Sequence, residues 1–261
     1  MLVALASAKG APGVTTTARV LAAVWPQDVV LVDADPAGGD VALLARRPDD
    51  GALDPERGLL SLAADARRGY VDSPLEDHLQ QTEGGLDVLC GVSTPEQTAA
   101  IAPAMPALAS GLLGQQARDV VVDCGRLGPS SPVLPLALAA DALVLVVRPR
   151  LEAFAHLRER VRWLAHARQP RPGTPAVGIV LVADTRDRGS AGELAQLLAH
   201  EQLPAVVLGQ VADDPRAADV VAGRLRRPVQ RSLLVRSVRP LVEPVQQLAA
   251  HRAAGRARTT A

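Results

Sequence analysis

Ser7-Ala8-Lys9-Gly10-Ala11-Pro12-Gly13-Val14-Thr15-Thr16-Thr17 is the stretch that decides how this chain folds. An apolar run, Leu2 to Ala6, leads into it, and an Ala- and Leu-rich helical pattern, Ala18 to Trp25, leads out. A strand that empties through a glycine-rich loop into a helix start aims backbone N–H groups and a positive dipole end at one point, which suits a phosphate. The phosphate-loop pattern GxxxxGK[ST] is kept only in part. Gly13 and Thr15 occupy the second glycine and the hydroxyl positions, whereas Val14 stands where the lysine belongs. Pro12 brings no N–H to the cradle.

Of the 28 Lys plus Arg residues, only Lys9 is a lysine. A compact ammonium fits among phosphate oxygens where a planar guanidinium does not, a physical reason to keep lysine at this one place. The alternative is that one leftover lysine falls in the loop by chance.

The run KGAPGVT is similar to the deviant phosphate loop KGGxGK[ST] of the ParA/MinD family of partitioning ATPases. That resemblance implies that Lys9 is the family's signature lysine, which reaches the nucleotide of the partner subunit. It also implies that Gly10, Ala11, Gly13, Val14, Thr15 and Thr16 bind ATP and that the Thr15 hydroxyl is a Mg²⁺ ligand.

Asp28 to Asp33 is an apolar run closed by carboxylates, the mark of a buried parallel strand that delivers side chains to its carboxyl end. It delivers Asp33-Ala34-Asp35-Pro36, and two carboxylates this close at a strand end suit a hydrated cation. The segment resembles the DxD of ParA/MinD proteins, and its continuation Gly39-Asp40-Val41-Ala42-Leu43-Leu44, with GLDVLCGVSTPEQ further on, looks most like the CpaE/TadZ branch. By that resemblance Asp35 orients the hydrolytic water and Asp33 supports the metal shell; with Lys9 these are the expected catalytic residues. A solvated Asp-rich turn is the bland reading.

Arg118 to Asp123 is a further buried strand ending in a carboxylate and matches Walker B, so Asp123 is expected to hold Mg²⁺ through water. Arg126, in the loop after it, is read either as a phosphate or partner contact or as a surface residue. Strands are also expected at 85–91, 141–148, 176–183 and 205–210, and helices at 59–68, 95–113, 151–167, 193–200 and 241–253. His156 and His166 find no ligand partner at helical spacing, and Pro170 to Gly173 reads as a turn. The alternation predicts a single doubly wound, mostly parallel α/β sheet of the P-loop NTPase, ParA/MinD-like kind, over residues 1–252, with 253–261 a flexible basic tail.

Asp213-Asp214-Pro215 looks like the family's segment after the last core strand, which places Asp214 and Pro215 against the nucleotide base. The arginine-dense stretch from Arg224 to Arg239 is either a nonspecific DNA surface, as in ParA relatives, or a solvated face. The last helix lacks Phe and Trp, so it reads as packed rather than membrane-bound.

Composition narrows the classes. Net charge is +0 and aromatics are 2%, so the core is aliphatic and no bulk charge draws the chain to nucleic acid or acidic lipid. Cys90 and Cys124, without CxxC spacing, argue against a disulfide framework or a zinc site. No basic segment precedes the short first apolar run and no membrane-length apolar window occurs, which sets the expectation of a cytoplasmic protein. Three functions follow: a nucleotide-dependent homodimer and weak ATPase that positions pilus, septum or chromosome machinery; a non-hydrolysing interaction scaffold on the same fold; and a DNA-binding partition protein.

Overall fold

The computed structural model describes residues 1–68, 74–115, 117–167 and 175–260. The turn expected at 170–173 lies outside the described residues. β1 (Leu2–Ser7) runs through the phosphate loop into α1 (Val14–Ala23), and β2 (Val29–Asp33) is followed by the single-turn α2 (Val41–Leu44). After α3 (Leu59–Arg67) come β3 (Gln80–Gln81) and β4 (Asp87–Leu89), then α4 (Pro95–Ile101) and α5 (Met105–Leu113). β5 (Asp119–Arg126), α6 (Leu134–Ala139), β6 (Ala142–Val147) and α7 (Leu151–Ala167) continue the alternation. β7 (Ala176–Ala183), α8 (Ser190–His200) and β8 (Ala205–Ala212) complete the sheet, and α9 (Pro215–Val221), α10 (Leu233–Val238) and α11 (Val242–Thr260) close the chain.

The eight strands lie in the order β3-β4-β2-β5-β1-β6-β7-β8, all parallel except β3, which pairs antiparallel with β4. This is the doubly wound, mostly parallel sheet that the alternation predicts. Strand periodicity divides its core. Leu2, Ala4 and Ala6 of β1, with Leu143 and Leu145 of β6, face a layer of α3, α5, α6, α7 and α8. Val3 and Leu5, with Val144 and Val146, face α1, α10 and α11. Leu31 and Val121 belong to the α1 side, so two residues further along each strand Asp33 and Asp123 emerge on that side too.

Two expectations change in detail. The helix predicted over 95–113 is broken into α4 and α5 by a 3₁₀ turn at Ala102–Ala104. Pro103 and Pro106 explain the break, since each lacks a backbone N–H and crowds the preceding turn. The two-residue β3 at the sheet edge adds a strand that residue patterning did not show.

Candidate functional site

The site lies where β1, β2 and β5 end. Gly13 caps α1 in the left-handed region, with φ 104°, where a side chain is strained. No side chain caps the helix there, so its first-turn N–H groups remain free for an acceptor such as phosphate. Thr17 braces the turn from behind: its N–H and its Oγ1 both donate to the Gly13 carbonyl, at 2.9 and 2.8 Å. Ser7 Oγ donates to the Gly10 carbonyl at 3.1 Å. Lys9, Gly10 and Ala11 are exposed, while Thr15 and Thr16 are half-buried. Val14 is only 5% exposed and packs in the core beneath the loop, so its side chain belongs to the interior and not to the cradle.

Beside the loop, Asp33 and Asp123 are register partners across β2 and β5, and each is 1% exposed. Asp33 Oδ2 accepts from the Val41 N–H at 2.9 Å, and Asp123 Oδ1 accepts from the Gly125 N–H at 2.9 Å. Asp33 Oδ1 and Asp123 Oδ2 are buried and find no partner in hydrogen-bond geometry, although the Asp35 N–H and the Thr15 hydroxyl lie near enough to pull the two carboxyl pKa values down. Burial pushes the Asp33 carboxyl up to about 6, and the charges of Asp35 and Asp40 add to that. Burial, then the charge of Asp33, pushes Asp123 up to about 7, against the pull of the Thr15 hydroxyl and the Gly125 N–H. Asp35 is less enclosed; it too is raised by burial, while its Oδ1 accepts from the Ala37 N–H at 2.8 Å.

Glycines make room for these carboxyls. A Cβ on Gly39 would sit 2.5 Å from Asp33 Oδ2, one on Gly91 would sit 2.6 Å from the Asp33 carbonyl, and one on Gly125 would sit 2.3 Å from the Asp35 carboxyl. Arg19, on α1, is buried enough to lower its pKa, a shift that attraction to Asp33 opposes. Patterning does not single out Arg19, and it shows Gly39, Asp40 and Gly91 only as parts of the CpaE/TadZ-like segments.

On the far side of the loop a cleft of about 350 Å³ opens between Ala8–Pro12 and the β6–α7 connection, with Lys9, Arg148, Arg150 and Glu152 on its walls. Arg148 is held by Asp213 through two hydrogen bonds, 2.5 and 3.1 Å, which tie the end of β6 to the end of β8. Asp214 caps α9, its Oδ1 accepting from the Ala217 N–H at 3.1 Å, with Pro215 in the first turn. Lys9 does not stand free: its Nζ lies 2.9 Å from His156 Nε2, a partner that helical spacing alone did not reveal.

Other sequence candidates stand apart. Arg126, expected in the loop after the strand, is instead the exposed last residue of β5; burial, and after it the charge of Arg126, lowers the pKa of Arg160, whose guanidinium lies 5.2 Å over the Trp163 ring. In the arginine-dense stretch, Arg224 pairs with Asp219 at 3.0 Å and Arg226 with Asp50 at 2.7 Å, which neutralises part of its charge. Cys90 and Cys124 are buried; burial pushes the Cys90 thiol up to about 12 and Cys124 higher still, so both are inert. No described helix is long and apolar enough to cross a membrane.

Solved structures share this architecture. MinD, the cell-division ATPase of Pyrococcus furiosus, superposes with a TM-score of 0.70 at 20% identity, over 95% of this chain and 98% of its own. MinD of Pyrococcus horikoshii, complexed with Mg-ADP, gives 0.68 at 19% identity, over 96% and 98%. The ATP complex of a point variant of Cyanothece McdA gives 0.68 at 16% identity, over 95% and 96%. The chain has the ParA/MinD fold. No protein-family profile and no curated protein sequence matches it.

The ParA/MinD fold therefore rests here on geometry, with the loop at the end of β1 and the aspartates of β2 and β5 around it. Among the described residues no cluster of three or more His, Cys, Asp and Glu would hold a metal alone. The donor set nevertheless fits Mg²⁺, a hard ion that keeps several waters and is usually completed by a hydroxyl and phosphate oxygens. Two desolvated, unpartnered carboxylate oxygens in register are what such a hydrated cation would satisfy.

Proposed function

We propose that this chain is a Mg²⁺-dependent ATP-binding switch of the ParA/MinD kind, closest to the CpaE/TadZ branch, that dimerises on binding nucleotide and hydrolyses it slowly. The observation that carries this reading is the pair of orphaned oxygens, Asp33 Oδ1 and Asp123 Oδ2, beside a phosphate loop whose helix start has no side-chain cap. It is supported by relatives of the same fold, one complexed with Mg-ADP and another with ATP.

In this reading the N–H groups from Gly13 to Thr16 and the α1 dipole hold the β-phosphate. Thr15 Oγ1 would bind the metal directly, and Asp33 and Asp123 would hold it through its waters. A bound cation would supply positive charge to the phosphate oxygens and so ease attack on the γ-phosphate. Asp35, at the open edge of the carboxyl cluster, orients the attacking water. Lys9 supplies the ammonium that Val14 does not, to its own nucleotide or across the dimer to the partner's. Asp214 and Pro215, with Asp213 fixed on Arg148, border the base. Losing one charge-assisted phosphate contact costs about 1–3 kcal/mol, which sets the expectation of weak binding and slow turnover.

The burial of Val14 also favours a second reading, a non-hydrolysing scaffold on the same fold that keeps nucleotide as a structural ligand. A role in positioning pilus, septum or chromosome machinery accompanies either reading; DNA binding through Arg224 to Arg239 is the weaker accompaniment, given the ion pairs there. A fluorescent ATP analogue titrated with and without Mg²⁺, with molar mass followed by light scattering, tests the proposal. Mg²⁺-dependent binding that doubles the mass, lost in Lys9→Ala, is the expected result. Absence of binding at millimolar nucleotide overturns it, and binding without phosphate release selects the scaffold.

A further inference from the structure

Lys9 and His156 are 147 residues apart in sequence, yet Nζ and Nε2 meet at 2.9 Å. An ammonium offers only N–H groups, so the facing imidazole nitrogen is the acceptor. His156 is therefore neutral, with its proton on Nδ1. Lys9 lines the cleft between the phosphate loop and the β6–α7 connection, and His156 projects from α7, which begins at Leu151 directly after that connection.

The nature of this partner matters. A carboxylate would also hold the lysine but would cancel its charge, whereas a neutral imidazole restrains the ammonium and leaves the full positive charge to act. One N–H of the ammonium is used on His156 and two remain for phosphate oxygens. A lysine on an exposed loop loses rotamer freedom when it docks on a ligand; a tethered one has lost part of that freedom beforehand. The charged groups that line the cleft with Lys9 are Glu152, one turn before His156 on α7, and Arg148 and Arg150 on the connection. Asp213 already neutralises Arg148, and among the described residues Arg150 and Glu152 make no ion pair.

We propose that His156 is the positioning residue of Lys9, holding its ammonium at the cleft with two donors free for the phosphates of a bound nucleotide. The proposal rests on Lys9 being a nucleotide contact, as argued above. The sole lysine makes the test direct, because reductive methylation with ¹³C-formaldehyde labels Lys9 and the N-terminal amine alone. The Lys9 methyl resonance should shift between the wild type and His156→Ala, which removes the ring nitrogen that faces the ammonium.

For the fluorescent ATP analogue, His156→Ala should weaken binding by about three- to tenfold. His156→Gln, whose amide oxygen accepts the same hydrogen bond, should restore it, and in a Lys9→Ala background His156→Ala should change nothing further. If Lys9→Ala weakens binding while His156→Ala binds like wild type, or the Lys9 resonance ignores His156, the positioning role is wrong. If Lys9→Ala itself binds like wild type, the nucleotide role of Lys9 fails and the proposal falls with it.

Discussion

Asp33, the last residue of β2, and Asp123, three residues before the end of β5, stand opposite each other in register, and each keeps one buried carboxylate oxygen without a hydrogen-bond partner. Two acceptors desolvated side by side disfavour double ionisation unless a proton or a cation joins them. The pair is thus a place where protons and a divalent cation compete.

Stability should record that competition. With folded pKa values of about 6 and about 7, both carboxyls bind protons more tightly than in the unfolded chain. The folded state then holds more protons above the unfolded pKa of about 3.9, so stability falls as pH rises from about 4 and levels off above 6 to 7. Urea unfolding at pH 5 and pH 8 measures this fall. Asp123→Asn, whose amide oxygen still accepts from the Gly125 N–H, should make it shallower, leaving the share of Asp33, and raise the melting temperature at pH 8 by about 3–6 °C.

Gly125→Ala should be severe. The new Cβ would meet the Asp35 carboxyl at 2.3 Å, and the backbone φ of 55° adds strain. A loss of roughly 2–3 kcal/mol in denaturant melts is expected, with phosphate release falling further than nucleotide binding because Asp35 is displaced. Gly10→Ala is the control: φ is 73° but no atom lies within 4 Å, so the loss should stay near 1 kcal/mol.

Val14→Lys asks whether the missing cation limits affinity. Val14 is buried among the residues under the loop, so the substitution should lower stability by about 1–3 kcal/mol in the absence of nucleotide. The lysine stem can lie along α1 while its ammonium reaches the cradle, and Mg·ATP should then bind at least about tenfold tighter. Calorimetry on both forms measures the two effects.

Much of this arrangement was legible in the sequence because local patterning writes it. The apolar run closed by Asp33 announces a strand end, whereas β5 runs on past Asp123 to Arg126, and the glycine-rich stretch announces the loop between β1 and α1. Pro103 and Pro106 also carried their signal, the break between α4 and α5, which the periodicity of 95–113 obscured. What patterning cannot show is pairing at a distance. Lys9 with His156 and Arg148 with Asp213, 147 and 65 residues apart, meet only because β6 lies next to β1 and β8 lies two strands further on. Likewise the sequence displays Gly39, Gly91 and Gly125, but only the packed strands reveal which aspartates they clear.

The most direct test of the central claim is calorimetric titration of ATP into wild type, Asp33→Asn and Asp123→Asn, each with and without Mg²⁺. Binding to wild type that weakens at least about tenfold without Mg²⁺, and in either variant although both remain folded, is the predicted result. Equal binding by all three proteins, or binding indifferent to Mg²⁺, would contradict a cation held between β2 and β5.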